Sequence, residues 1–221
     1  MIAGQPGVAP PIEILPAPQR LALSYASARS RPATFALLAL DARLADVVRG
    51  RREPIATQLR LAWWRDTLER PPGEWPAGEP VLDLLRGWRE PAPLAALPSG
   101  WEALLADDLD SHVIAEFVDA RGRAFACLAH EHGVAAESDA AAAGRIWALA
   151  DLAANISAGA ERDLVVDYGR SLGAPPRLSA SLRPLAVLAA LGAAALARGG
   201  GDLLAGPRSM LLALRIGLAG R

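Results

Sequence analysis

The run Phe35–Val48 is apolar on most sides of the helix that its spacing predicts. A helix that is apolar all round has to be surrounded by other elements, so this run predicts an inner helix of a bundle. Ser30 and Pro32 precede the run at positions that favour a helix start, and we expect the Ser30 side chain to cap the first turn.

The remaining segments also have helical rather than strand patterns. No stretch shows sustained alternation of apolar and polar residues, and β-branched residues are not clustered. After the run at 35–48, helices are predicted at 54–69, 81–88, 98–107, 112–132, 137–157, 182–197 and 207–220, and the segment 158–177 is read as polar. The predicted fold is therefore all-α, with one helical domain over residues 18–221 and a proline-rich, disordered or extended arm at 1–17.

Composition excludes several classes of function. All 23 basic residues are arginine, which excludes a P-loop or a lysine Schiff base. The net charge of −1 argues against nucleic acid as a partner. The single cysteine, Cys127, allows no intrachain disulfide and fits a reducing compartment. The longest wholly apolar run, 185–197, has 13 residues, fewer than the roughly 18 needed to span a bilayer. We expect a cytoplasmic protein that is soluble or peripheral at the inner membrane surface.

Charge is unevenly distributed along the chain. Residues 170–221 carry seven arginines and one acid, a net charge of +6, which leaves −7 for the remainder. The last predicted helix carries Arg208 and Arg215 among leucines and could lie on an anionic membrane surface. The alternative is a helix that covers the core while its arginines face water.

The most distinctive string in the chain is Gln58–Asp66, which reads Gln-Leu-Arg-Leu-Ala-Trp-Trp-Arg-Asp. Together with Arg20-Leu21, the helix at 31–48 and the segment 178–188, it resembles squalene/phytoene synthases. The resemblance implies a single-domain helical bundle of the isoprenoid-synthase type. It also implies head-to-head condensation of two prenyl diphosphates, with Mg²⁺ held by two aspartate-rich motifs on facing helices.

Within this string, Gln58, Arg60 and Trp64 are the candidate substrate-binding residues. Arg60 lies four residues before Trp64 and so on the same helix face, where it could bind a diphosphate at a cleft. The alternative is that the tryptophan packs in the core and the arginine extends over apolar surface.

The resemblance also locates the expected metal motifs. The first, Asp-Asp-x-x-Asp, falls on 45–49, where only Asp46 is an acid. Asp41 lies five residues earlier, about 140° away around the helix, so the two would not chelate together easily. The alternative is that both acids pair with Arg43 or Arg49.

The second motif falls on Asn155 and Gly159, which carry no carboxylate. A displaced candidate is the pair Asp163 and Asp167, at the i, i+4 spacing that puts two acids on one helix face. Asp46, Asp163 and Asp167 are therefore the candidate Mg²⁺ ligands, and helix capping or solvation is the alternative for the last two.

Two further clusters favour structural explanations. The acids at 107, 108 and 110 precede the long helix at 112–132, where negative charge stabilises a helix start. Cys127 and His130 could share a helix face, but a zinc site would need further ligands at workable spacing.

Two functions follow from these residues. In the first, the chain is a squalene/phytoene synthase-like protein that has lost its metal ligands. It would act as a binding or assembly factor for a prenyl diphosphate or lipid-like ligand and a protein partner. The spacing from Leu40 through Arg60 to Trp64 resembles the branch of the family known as mitochondrial complex I assembly factors. In the second, it is a Mg²⁺-dependent prenyl diphosphate transferase of isoprenoid or carotenoid biosynthesis with an atypical metal site. No catalytic residue is assigned, and two carboxylates facing each other across a cavity would favour the second function.

Overall fold

The structure is a computed structural model that describes residues 11–50, 53–157 and 159–220. Over these ranges it contains ten α-helices, four short 3₁₀ turns and no strand, which confirms the all-α prediction. The helices are α1 (Ala17–Ser24), α2 (Arg31–Arg49), α3 (Pro54–Leu68), α4 (Pro80–Leu85), α5 (Ala96–Ala103), α6 (Ser111–Glu131), α7 (Glu137–Asn155), α8 (Ala160–Ser171), α9 (Arg183–Ala197) and α10 (Pro207–Ala219).

Helix α2 is the inner helix that its apolar run predicted. Leu38, Leu40 and Leu44 are fully buried, and α1, α3, α4, α5 and α6 all pack against it. The capping prediction was wrong, because the Ser30 side chain caps no backbone N–H of α2. Its hydroxyl lies 2.8 Å from the Ser27 hydroxyl instead.

Helices α6 and α7 form the most extensive helix pair of the bundle, and α7 also packs on α9. Asp110 caps the N-terminus of α6, because its carboxylate accepts hydrogen bonds from the His112 and Val113 amides at 2.9 Å. The two helices approach closely at Gly144, where an added Cβ would lie 2.9 Å from the Phe125 ring. This close approach holds buried side chains of both helices in fixed positions.

Helix α8 lies in a segment that the sequence pattern described as polar and to which it assigned no helix. Its inner face is short and consists of Val165, Val166 and Gly169, with Leu196 of α9 packed directly on the glycine. Five of the other nine residues of the helix are charged, so the apolar pattern was too weak to indicate a helix.

The packed part of the chain begins before residue 18. Residues 1–10 of the predicted arm lie outside the described residues, whereas Leu15 is buried in the core and α1 begins at Ala17. Within the described ranges one stretch, Ala180–Ala197, is long and apolar enough to cross a membrane. However, 61% of it is buried inside the bundle, as expected of a core helix.

Candidate functional site

A buried arginine, Arg121 of α6, joins carboxylates from two other helices. Its Nε and Nη2 donate to the two oxygens of Asp41 in α2 at 2.9 and 2.8 Å. Its Nη1 donates to Asp151 of α7 at 2.8 Å. The Arg121 side chain is only 1% exposed, so this network lies inside the bundle and links α2, α6 and α7.

Three aromatic rings surround the same guanidinium group. Its central carbon lies 4.9 Å from the ring centroid of Trp101, 4.8 Å from that of Phe117 and 4.3 Å from that of Trp147. The Trp101 indole also donates to Asp41 at 3.0 Å. Carboxylates hold the cation in its plane and aromatic rings approach it closely, an arrangement that supports a desolvated cation.

The electrostatics of the network depend on burial and on its internal charges. Burial raises the pKa of the Asp41 carboxyl, and the facing guanidinium opposes this effect. Burial alone would lower the pKa of Arg121, but the charges of Asp41 and Asp151 outweigh it and the pKa is raised. Arg121 is therefore a permanent cation at this position.

A cavity of about 460 Å³ lies beside this network. Trp101, Phe117 and Asp151 belong to both the network and the cavity wall. The other apolar lining residues are Val48, Leu104, Ala106, Leu109, Val113, Leu152 and Ile156. The other polar lining residues are Arg49, Asp107, Asp108, Asn155 and Glu161. The cavity thus has an apolar wall and an acidic rim.

The charges at the rim are only partly compensated. Asp107, Asp108 and Glu161 are exposed, and none of them forms an ion pair with another residue of the described ranges. Among the described lining residues Arg49 is the one cation, and it binds Asp46 at 2.8 Å, a residue that lines a different cavity. Negative charge therefore predominates among the lining residues that the structure describes.

The predicted metal ligands are dispersed. Asp46 is exposed and paired with Arg49, Asp163 lies in the first turn of α8, and Asp167 contacts Arg170 at 3.3 Å. In the part of the chain that the structure describes, no group of three or more His, Cys, Asp or Glu residues could hold a metal ion, so these acids form no such group. Their assignment stays a prediction.

The predicted substrate-binding residues lie on α3, away from the cavity. Trp64 is 3% exposed and packs in the core, whereas Gln58 and Arg60 are exposed at the surface, and none of the three lines the cavity. The neighbouring Trp63 is the exposed tryptophan of the string, with its ring edge-on to Trp64 at 5.1 Å.

Sequence reasoning missed the network that joins Asp41, Arg121 and Asp151. We expected Asp41 to pair with Arg43 or Arg49, but it pairs with Arg121, 80 residues away. Arg121 is the charge on the buried face of α6, since its neighbours Asp119 and Arg123 are not buried. Asp151 is the one charge between Trp147 and Ala153 of α7. A lone charge on a buried helix face was the available signal, because it needs a partner of opposite sign.

The residues of this network do not suit Mg²⁺. A divalent ion takes several oxygen ligands around itself, whereas here a guanidinium group occupies the space between the two carboxylates and binds three of their oxygens.

Comparison of the chain with protein-family models, with curated proteins and with solved structures gives no match.

Proposed function

We propose that this chain is a squalene/phytoene synthase-like protein of the isoprenoid-synthase type that does not catalyse prenyl transfer and acts as a binding or assembly factor. The observation that carries the proposal is the position of Arg121 between Asp41 and Asp151. In the resembled enzymes, carboxylates from different helices share metal ions. In this chain two carboxylates from different helices share an arginine, which binds both of them and joins the helices.

A binding role is supported by the cavity beside the network. Its volume of about 460 Å³ is in the range of small-molecule sites, and most of its wall is apolar. It would accept a lipid-like ligand. A prenyl diphosphate is the less suitable ligand, because Asp107, Asp108 and Glu161 at the rim would repel its phosphates.

The second part of the proposed role is contact with an anionic membrane. The protein would be cytoplasmic and would bind the surface of the inner membrane. On α10, Leu211, Leu214 and Leu218 point outward and are 47–73% exposed, while Ser209 and Ala213 face the bundle. Arg208 and Arg215 are exposed beside the leucines. An outward apolar stripe with basic flanks suits insertion into the headgroup region of an anionic bilayer.

The catalytic part of the proposal is tested with farnesyl and geranylgeranyl diphosphate in the presence of Mg²⁺. We expect no release of diphosphate above the rate without protein. We also expect no rise in melting temperature with Mg²⁺ and farnesyl thiodiphosphate, an analogue that ionises slowly. Release that depends on the protein would overturn the proposal.

Such release would favour the alternative function, a Mg²⁺-dependent prenyl diphosphate transferase with an atypical metal site. Asp46→Asn, Asp163→Asn and Asp167→Asn would then be compared with the parent protein. Loss of release in these variants would identify the dispersed acids as its metal ligands. Unchanged release would place the metal site elsewhere, and in either case the non-catalytic role would be excluded.

A further inference from the structure

We propose that the cavity beside Arg121 binds a small organic cation that carries an apolar body, such as a quaternary ammonium group on a short alkyl chain. This inference names the ligand class for the binding role proposed above and rests on that role. It follows from three properties of the cavity: its apolar wall, its excess of acids over cations among the described residues, and the aromatic rings that it shares with the Arg121 network.

The apolar wall provides the site for the body of the ligand. Val48 of α2, Leu104 after α5, Val113 of α6 and Leu152 of α7 come from four different parts of the chain and enclose one space. Burial of a hydrocarbon chain against them removes apolar surface from water, which is the main source of affinity in such cavities. The wall alone would accept a neutral, an anionic or a cationic ligand.

The charges select the cation. Asp107 and Asp108, between α5 and α6, and Glu161 of α8 line the cavity and form no ion pair with another residue of the described ranges. Arg49, which also lines the cavity, binds Asp46, so that four lining carboxylates stand against one lining cation among the described residues. In a partly enclosed space these carboxylates favour entry of a positive group and oppose entry of a phosphate.

The deeper wall is already adapted to a cation. Trp101 and Phe117 lie within 5 Å of the Arg121 guanidinium and also line the cavity. Asp151, with a side chain 22% exposed, binds Arg121 through one oxygen and also lines the cavity. A ligand cation would meet the same kinds of group that hold Arg121, aromatic rings and a carboxylate. We therefore expect its charged group near Asp151 or at the acidic rim.

Calorimetric titration with octyltrimethylammonium below its micelle concentration tests the proposal. Octyl phosphate serves as the matched anion with the same alkyl chain. We expect saturable binding of one cation per chain, with affinity that falls as NaCl is raised because exposed carboxylates are screened. We expect the anion to bind roughly tenfold more weakly or not at all.

Charge-neutral variants locate the site. In Asp107→Asn/Asp108→Asn/Glu161→Gln we expect cation affinity to fall roughly tenfold and its salt dependence to disappear. The matched control is Glu53→Gln/Glu69→Gln/Glu74→Gln, which removes the same number of exposed charges at positions that do not line the cavity. The control should bind like the parent protein, and all three proteins should have similar melting temperatures.

Absence of cation binding, equal binding of octyl phosphate, or equal losses in the two triple variants would each overturn the inference. None of these outcomes bears on whether the chain is catalytic, which depends on diphosphate release. Conversely, Mg²⁺-dependent diphosphate release with intact cation binding would overturn the non-catalytic role but leave the ligand class standing. The two proposals therefore fail separately.

Discussion

At the scale of single residues, the decisive feature is a buried cation, Arg121, that binds carboxylates from two other helices. Arg121 is fully buried and would be costly to desolvate alone, but Asp41 and Asp151 occupy all three of its hydrogen-bonding nitrogens. An apolar replacement of the whole network could be equally stable. The network is therefore better explained by the helix positions that it specifies than by the stability that it adds.

Removal of the arginine alone should be strongly destabilising. Arg121→Met leaves Asp41 buried beside Asp151 without a cation, so we expect the free energy of unfolding to fall by about 3–5 kcal/mol in urea titrations. The control is Arg123→Met, an exposed arginine two residues along α6, expected to stay within about 0.5 kcal/mol of the parent. Adding Asp41→Leu to Arg121→Met should recover part of the loss. Equal stability of Arg121→Met and Arg123→Met would refute a structural role for the network.

A second residue, His132, should make stability depend on pH. Burial lowers the pKa of His132; the charge of Glu131 opposes this effect and that of Arg29 adds to it. The Nε2 atom of His132 is buried without a hydrogen-bond partner in the described ranges. The folded state therefore disfavours protonation. The stabilising contribution is present above the unfolded-state pKa of about 6.5 and is lost as the pH falls toward the folded-state value. Melting temperatures of the parent and His132→Asn should converge or cross below pH 6.5, while the exposed His112→Asn should follow the parent at every pH.

At the scale of helices, the contacts between elements depend on small residues as much as on large ones. Gly100 lets α5 approach α6 so closely that an added Cβ would lie 2.4 Å from the Ala120 Cβ and 3.3 Å from the Phe117 backbone. Trp101, the next residue, then reaches both Asp41 and the cavity. The position of α5 is thus coupled to the candidate site.

Gly100→Ala should therefore disturb both stability and the cavity. Neither of the nearest atoms is the end of a flexible side chain, so α5 has to shift, and we expect a loss of about 1–3 kcal/mol in urea titrations. The intrinsic tryptophan fluorescence of the chain, to which Trp101 contributes as one of six tryptophans, should change with the displacement. Gly87→Ala is the matched control, because an added Cβ at position 87 meets nothing within 4 Å. If both variants unfold like the parent, the close α5–α6 approach is not a structural requirement.

The helices also define what could be predicted from the sequence. The inner position of α2 and the extent of α6 were predictable, because a continuous apolar run and a strong start signal act locally. The partner of Asp41 was not, since it depends on how α2, α6 and α7 cross in space. The exposure of Ile55, Leu59 and Trp63 was also unpredictable, because their helical spacing indicates a face of α3 but not the direction in which it points.

At the scale of the whole molecule, charge and exposed apolar surface are combined at one end of the chain. Residues 170–221 carry a net charge of +6, and the remainder of the chain carries −7. Two of these positive charges, Arg208 and Arg215, lie on α10 beside the exposed leucines of that helix. A negatively charged bilayer would attract this part of the molecule and repel the rest. We therefore expect the protein to bind anionic membranes through α10.

Flotation with phosphatidylcholine vesicles, with and without phosphatidylglycerol, measures this binding. We expect flotation only with the anionic lipid, and loss of flotation in Leu211→Ser/Leu214→Ser/Leu218→Ser. Ile55→Ser/Leu59→Ser/Trp63→Ser, which removes the other exposed apolar stripe, should float like the parent. Arg208→Gln/Arg215→Gln should weaken binding roughly thirtyfold, since each basic residue near an anionic surface contributes about 1 kcal/mol. Binding that is independent of anionic lipid would refute the electrostatic contribution, and loss of flotation in the α3 variant would transfer the membrane contact to that helix.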